Sequence, residues 1–391
     1  MSVIDTTLQR VIGSFGSASA GPTLIVMTGM HGNEPAGGLA CERLARRLDA
    51  EPIDLKGRFV ALRGNLKALA QRTRYLDRDF NRSWTKERVA RALAHKEKEP
   101  FAEADELRDV HATIASIVAE ANGPVYFLDL HTTSAAGPPF ATVGDTLRNR
   151  RFARRFPLPL ILGLEEQVDG ALLEYLNNFG LITLGVEAGQ HDCDHSVDRL
   201  EALLWLVLAE AGLTTIDQDE RRRHTRTLRR ASRGVPAVIE VRYRHAITPD
   251  DKFKMMPGFD NFVPIEKGEH VAHDRRGEIV SPEDGLMLLP LYQGKGNDGF
   301  FVARAVRPFW LAVSRFLRRW KIGRLLPLLP GVRRSQHSRH DLVVNTKIAR
   351  IYPLEVFHLF GYRKRRKFGT ALVVSRRAFD LAPPSKILFE G

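Results

Sequence analysis

Two histidines and a glutamate stand where they could share one metal ion. In Gly29-Met30-His31-Gly32-Asn33-Glu34, His31 and Glu34 are separated by two residues and follow the apolar, β-branched run Thr23 to Thr28. A glycine-containing turn at the end of a strand can curl both side chains toward one ion, and the carboxyl ends of strands are where open α/β sheets build sites. Leu128-Asp129-Leu130-His131-Thr132-Thr133 sets a second histidine at another point where an apolar run meets polar residues. Catalytic zinc commonly uses two His and one Glu and keeps a fourth position open. His31, Glu34 and His131 are therefore the candidate ligands of one Zn2+ per chain. Asp129, two residues before His131, points to the same side of its strand and is the candidate outer carboxylate.

Between the two ligand segments lies Arg74-Tyr75-Leu76-Asp77-Arg78-Asp79-Phe80-Asn81-Arg82. Arginine is the informative residue type here, because its planar fork binds carboxylates in pairs of hydrogen bonds and can stabilise a developing oxyanion. Taken alone, such a run is more often a solvated surface. Cys41 and Cys193 match no disulfide framework and no CxxC pattern, and read as ordinary thiols. Gln190 to His195 reads as a polar loop.

The elements that must position these residues are legible as apolar runs. Strands are expected at Thr23–Thr28, Gly57–Leu62, Val125–Leu130 and Leu181–Glu187. Helices are expected from Pro35 to about Leu48, from about Glu103 to Glu120 and from Val197 to Ala211. Strands alternating with helices predict an α/β catalytic domain over residues 1–213. Residues 214–234, rich in Asp, Glu, Arg, Thr and Ser, are expected to be a linker. Short β-prone runs between Gly and Pro turns predict a smaller all-β domain over 235–305, followed by a basic extension over 306–391.

Over residues of about 20–300 the sequence resembles the succinylglutamate desuccinylase and aspartoacylase family of zinc carboxypeptidase-like hydrolases. The resemblance rests on His31-Gly32-Asn33-Glu34, Asn65, Arg74 to Arg82, Asp129-Leu130-His131-Thr132-Thr133 and Val186-Glu187-Ala188-Gly189, in the family's order and spacing. It implies a mixed-sheet catalytic domain in which His31, Glu34 and His131 hold zinc and Arg74 polarises the scissile carbonyl. Asn81 and Arg82 would bind a substrate carboxylate, and Glu187 would be the general base toward a metal-activated water. Tyr292 is the nearest counterpart of the family tyrosine that recognises the rest of an acidic amino acid. The implied activity is hydrolysis of an amide or ester bond in a small carboxylate-bearing substrate such as an N-acyl amino acid. The alternative is a zinc-binding relative whose chemistry has decayed and which serves as a binding or membrane-surface protein. The physical reading agrees with the base assignment: Glu187 ends an apolar strand, where partial desolvation raises a carboxylate toward a useful pKa.

The net charge of +13 is unevenly placed. Residues 301–391 hold 20 Lys/Arg against 4 Asp/Glu, so the first 300 residues are mildly acidic. The tail carries no nucleic-acid-binding motif, and no nucleic acid is expected as partner. No run of about 18 apolar residues occurs, and Met1 to Arg10 lacks the features of a secretory signal, which predicts a cytoplasmic protein. Within the tail, Phe309, Trp310, Val313, Phe316, Leu317 and Trp320 fall on one side of a helix and Arg315, Arg318 and Arg319 on the other. Two fates are open for that apolar face: packing on the protein's own domains, or lying on an anionic membrane through residues 307–326, assisted by Arg363-Lys364-Arg365-Arg366-Lys367.

Overall fold

The computed structural model describes residues 8–51, 53–97, 101–336, 338, 340–345, 348, 354–368 and 371–389. Its first seven strands are Val11–Gly16 (β1), Thr23–Thr28 (β2), Arg58–Arg63 (β3), Val125–Thr133 (β4), Phe140–Thr142 (β5), Leu160–Leu162 (β6) and Ile182–Gln190 (β7). Strands β3, β2, β4 and β7 lie side by side and parallel. Along β2, Leu24 and Val26 enter one hydrophobic cluster while Ile25 and Met27 enter another. That alternation is what a strand covered on both faces requires, and it explains why the run is apolar throughout. Helices Ala36–Ala50 and Asp194–Glu210 cover the first face through Ala40, Leu44, Leu200 and Leu203. Ala104–Glu120 covers the second through Leu107, Val110 and Ile114. The expected strands and helices are present, with ends moved by a few residues. Strand β1 was not expected, because it is a largely exposed edge strand with no apolar run.

The region after residue 213 differs from the expectation in three ways. First, Gln218–Ala231, expected as linker, is a helix. Asp217 caps it by accepting from the Asp219 and Glu220 amides, and only His224 and Leu228 turn inward, so the apolar signal was too thin to read. Second, the strands of 235–305 are Val238–Ala246 (β8), Lys254–Met255 (β9), Pro264–Ile265 (β10), His270–Asp274 (β11), Gly277–Val280 (β12), Gly285–Leu288 (β13) and Asp298–Ala305 (β14). Four of them continue the main sheet, whose order is β1-β3-β2-β4-β7-β5-β6-β8-β14-β13-β10, and β12-β11-β9 form a small separate sheet. Third, the basic extension is folded. Val332–Arg334 (β15), Asp341–Asn345 (β16), Tyr362–Phe368 (β17) and Ala371–Arg376 (β18) make an antiparallel sheet in the order β15-β16-β18-β17, with a core that includes Leu342, Val344, Phe357 and Val374.

Buried charges dock this extension onto the catalytic region. Asp145 meets three guanidinium groups: Arg150, whose Nη2 is 2.7 Å from Oδ2, Arg318, whose Nη1 is 3.3 Å from Oδ1, and Arg363. Arg363 also bonds Glu166 and Glu240, so it is an internal residue and unavailable to a membrane. The side chains of 364–367 lie outside the described residues. The helix Pro308–Arg319 turns Leu311, Ser314 and Arg318 inward and leaves Phe309, Trp310 and Phe316 exposed. Of the arginines expected on the ionic face only Arg318 is buried, while Phe309, Trp310, Phe316 and Trp320 of the expected apolar face are exposed and Val313 and Leu317 half-buried, so the described residues do not cover its aromatic side chains.

Candidate active site

Strand β2 ends at Thr28 and the chain turns at Gly29, whose φ of +60° is in the left-handed region that glycine tolerates. A Cβ on Gly32 would lie 2.1 Å from the backbone carbonyl of Ala68, so only glycine lets this turn seat against the helix Leu66–Ala70. The turn carries His31 and Glu34 to the edge where neighbouring β4 brings His131. Donor atoms of the three residues all lie within 4.8 Å of one another, and all three are buried.

Glu34 is shared between the rings: Oε1 is 2.8 Å from His31 Nδ1 and Oε2 is 2.9 Å from His131 Nδ1. The other ring nitrogens are held from outside. His31 Nε2 is 3.2 Å from Asp79 Oδ1, and His131 Nε2 is 3.1 Å from Asp129 Oδ2. A proton donated outward from each Nε2 leaves both Nδ1 lone pairs facing the glutamate, as metal-ligating histidines are normally oriented. Burial pushes the Glu34 carboxyl up, but the two imidazoles outweigh it and hold it well below the usual range. A donor set of two imidazoles and a carboxylate kept ionised fits a zinc ion. Asp129 thus stands where the sequence placed it, whereas no local pattern marks Asp79 as the partner of His31.

Asp79 does more than hold His31. Its Oδ2 accepts from Arg74 Nη2 at 3.1 Å and Nε at 3.3 Å, and its Oδ1 accepts from the Asn81 amide at 2.9 Å. Burial raises this carboxyl, and His31, Arg74 and Arg82 together bring it well below the usual range. Arg74 is thereby aimed across Glu34, with Nη1 3.7 Å from Oε1. The loop that carries Arg74 to Asp79 is pinned by Glu103, a buried carboxylate that accepts from the amides of Leu76, Asp77 and Arg78 at 2.6, 3.3 and 3.1 Å. Glu103 was missed, because a glutamate at the start of a helix carries no sequence signal for a contact back to residue 76.

Glu187 lies directly across from His131 in the β4–β7 register. It lines a cleft that also borders His31, Glu34, His131, Arg74 and Asn81. Its Oε2 is buried with no hydrogen-bond partner. Burial raises the carboxyl to about 8, His131 opposing and Glu34 adding to the shift. A buried acceptor without a partner, beside a metal-fitting cluster, can take a proton from a water or a substrate.

The three residues expected to bind substrate fare differently. Asn81 lines the cleft, its Nδ2 3.3 Å from His131 Nε2 and its Oδ1 accepting from the Leu172 amide at 3.0 Å. Arg82 lines it as well but is engaged: Nη2 is 2.7 Å from Asp298 Oδ2, and Nη1 donates to the Asn81 carbonyl at 3.0 Å. Asp298 also accepts from Arg244. Tyr292 is not a cleft residue. Its hydroxyl donates to the Met256 carbonyl at 2.7 Å and accepts from the Phe259 amide at 3.1 Å, while Leu291 and Gln293 on either side of it, with Asn297 and Asp298, line the cleft. Sequence alone could not tell which residue of this irregular stretch faces inward.

The far wall of the cleft includes Glu165 and Glu174, held by a residue of the C-terminal extension. Arg377 Nη2 is 2.6 Å from Glu174 Oε2, and Nη1 is 3.4 Å from Glu165 Oε1. Burial raises Glu165 to about 7 against the pull of Arg377. The extension read from sequence as a tail therefore contributes to the cleft.

Residues 20–208 match the family model of the succinylglutamate desuccinylase/aspartoacylase catalytic domain. No curated protein matches the chain. Among solved structures, a succinylglutamate desuccinylase/aspartoacylase from Rhodobacter sphaeroides is 20% identical, with a TM-score of 0.55, covering 74% of this chain and 87% of that one. A succinylglutamate desuccinylase from Chromobacterium violaceum is 17% identical at a TM-score of 0.52, with the same coverage. The ectoine utilization protein EutE (DoeB) from Ruegeria pomeroyi is 18% identical at 0.52, covering 73% of this chain and 85% of its own. At these identities the likeness is one of fold.

Proposed function

Because residues 20–208 match the family model of the succinylglutamate desuccinylase/aspartoacylase catalytic domain, we propose that the protein is a zinc-dependent hydrolase of an amide or ester bond in a small N-acyl amino acid or similar acid. The observation that carries the reading is the unpartnered, buried Oε2 of Glu187 across from the His31, Glu34 and His131 cluster. A merely structural carboxylate would be hydrogen-bonded in that position.

His31, Glu34 and His131 would hold the ion. When bound there, zinc supplies Lewis acidity toward the carbonyl and brings the pKa of a water toward about 7. Glu187 takes a proton from the attacking water and returns it to the leaving group, the step for which a raised carboxyl pKa suits it. Arg74, aimed by Asp79, donates N–H groups to the oxygen on which negative charge develops. Arg82 receives the substrate carboxylate, exchanging part of its contact with Asp298 for the ligand.

The test is a panel of N-acyl amino acids and small esters offered to the zinc-loaded protein, with Glu187→Gln as control. The expected result is turnover of at least one N-acyl amino acid, reduced by about 10²–10⁴ in the variant with zinc retained. Turnover in Glu187→Gln equal to the wild type would overturn the mechanism.

A further inference from the structure

The helix Pro308–Arg319 and the turn Ile322–Leu328 after it bury Leu311 and Leu326 but leave most of their large apolar side chains in solvent. Positions 311, 314 and 318 form the inward face, and the residue most deeply held there is an arginine. Arg318 has no exposed side-chain surface, bonding Asp380 through Nε at 3.0 Å and the Asp145 carbonyl through Nη2 at 3.1 Å. On the opposite side Phe309, Trp310, Phe316, Trp320, Leu325 and Leu328 are 48–79% exposed. Six exposed large apolar side chains on one short segment, with Phe309 against Trp310 and Phe316 against Trp320, are of the kind that marks an interaction surface. Scattered exposed hydrophobics elsewhere in the chain carry no such meaning.

The surroundings of the patch choose its partner. From residue 299 to 340 the chain has ten Lys/Arg and no Asp/Glu. Of these, Arg307, Arg315, Arg319, Lys321 and Arg324 are exposed and flank the apolar side chains. A protein partner would meet exposed aromatic side chains with five exposed cations on the same segment. An anionic bilayer matches every feature at once: tryptophans suited to the headgroup level, apolar side chains for the acyl boundary and arginines for the phosphates. No helix among the described residues is long and apolar enough to cross a membrane, so the segment would lie in the interface plane. We propose that residues 307–328 dock the protein on an anionic lipid surface, with Arg318 and Arg363 locking the segment to the protein body while the aromatic face enters the lipid.

The four tryptophans make the test direct. Trp84 and Trp205 are buried in the catalytic region, whereas Trp310 and Trp320 are on the patch. Full-length protein is mixed with vesicles of phosphatidylcholine carrying about 30% phosphatidylglycerol, or of phosphatidylcholine alone, and followed by co-sedimentation and tryptophan emission. The expected result is binding to the anionic vesicles with a blue shift of emission. Binding should weaken as salt rises from about 0.05 to about 0.5 M. It should fall at least about tenfold in Phe316→Ser/Trp320→Ser, and be similarly weakened in Arg315→Glu/Arg319→Glu. These positions are exposed, so both variants should melt like the wild type, and the charge-reversal pair gives a second reading that leaves the aromatic residues intact. No vesicle binding by the wild type would overturn the proposal, as would undiminished binding by the serine variant. Self-association that the serine variant abolishes, without vesicle binding, would also overturn it and assign the face to a second copy of the chain.

Discussion

Replacing Arg318 with methionine keeps most of the side-chain volume and removes one charge from a sealed ionic cluster. Asp145, Asp380, Glu166 and Glu240 face Arg150, Arg318, Arg363 and His358 there. The variant leaves Asp380 without its cation and Asp145 with two guanidinium partners in place of three. Removing one member of a buried ion pair costs about 3–5 kcal/mol, chiefly because the other charge stays buried. For a chain of 391 residues that corresponds to a melting shift of roughly 4–6 °C. The pH dependence follows from Asp145. Burial raises its carboxyl, but Arg150, Arg363 and Arg318 outweigh this and hold it well below the usual range. A carboxyl depressed in the folded state contributes stability that is present above its unfolded pKa of about 4 and lost as pH falls through the folded value. The deficit of Arg318→Met against the wild type should therefore be greatest near pH 7 and shrink below about pH 4. Urea unfolding at both pH values measures it, and Arg318→Met/Asp380→Asn, which removes the orphaned acid as well, should recover about 1–2 kcal/mol. A variant within about 1 kcal/mol of the wild type at pH 7, the scale of an exposed pair, would refute the reasoning.

The remaining expectations concern the cleft and the extension. His31→Ala or His131→Ala should abolish the roughly one zinc per chain expected of the isolated protein, read by elemental analysis. Asp79→Asn should lower zinc affinity by about 10–100-fold in competition with a chelator, because it orients His31 from outside the cluster. Arg82→Lys should raise KM with little change in kcat, and Asp298→Asn should lower KM about fivefold by releasing Arg82 from a charged hydrogen bond; steady-state kinetics on the best substrate separate the two. A chain ending at Ala305 should fail to fold, seen as lost cooperativity in unfolding. It leaves Asp145, Glu166 and Glu174 buried without Arg318, Arg363 and Arg377.

The residues that carry chemistry were legible in the sequence because each sits where an apolar run ends. Period and composition place Thr23–Thr28, Val125–Leu130 and Leu181–Glu187 as buried strands, and parallel neighbours with aligned ends necessarily bring His31, His131 and Glu187 to one edge. The glycine at 32 is a local requirement that sequence also displays. Other features depend on contacts between distant segments, which no local pattern encodes. Asp79 and Glu103 look like ordinary surface acids until the loop from Arg74 to Arg82 folds onto Glu103 and turns Asp79 toward Arg74 and His31. Tyr292 and Gln293 differ by one position in an irregular stretch, so which side chain enters the cleft is settled by packing against Ser134, Met256 and Phe259. The basic extension is the clearest case. Amphipathic spacing identified the two faces of the helix at 308–319, and the hydrophobic effect alone would turn the aromatic face inward. Tertiary structure decided otherwise, because Asp145 and Asp380 offer Arg318 a buried site whose hydrogen bonds and charge offset the cost of its desolvation, and that contact orients the helix with its aromatic residues outward.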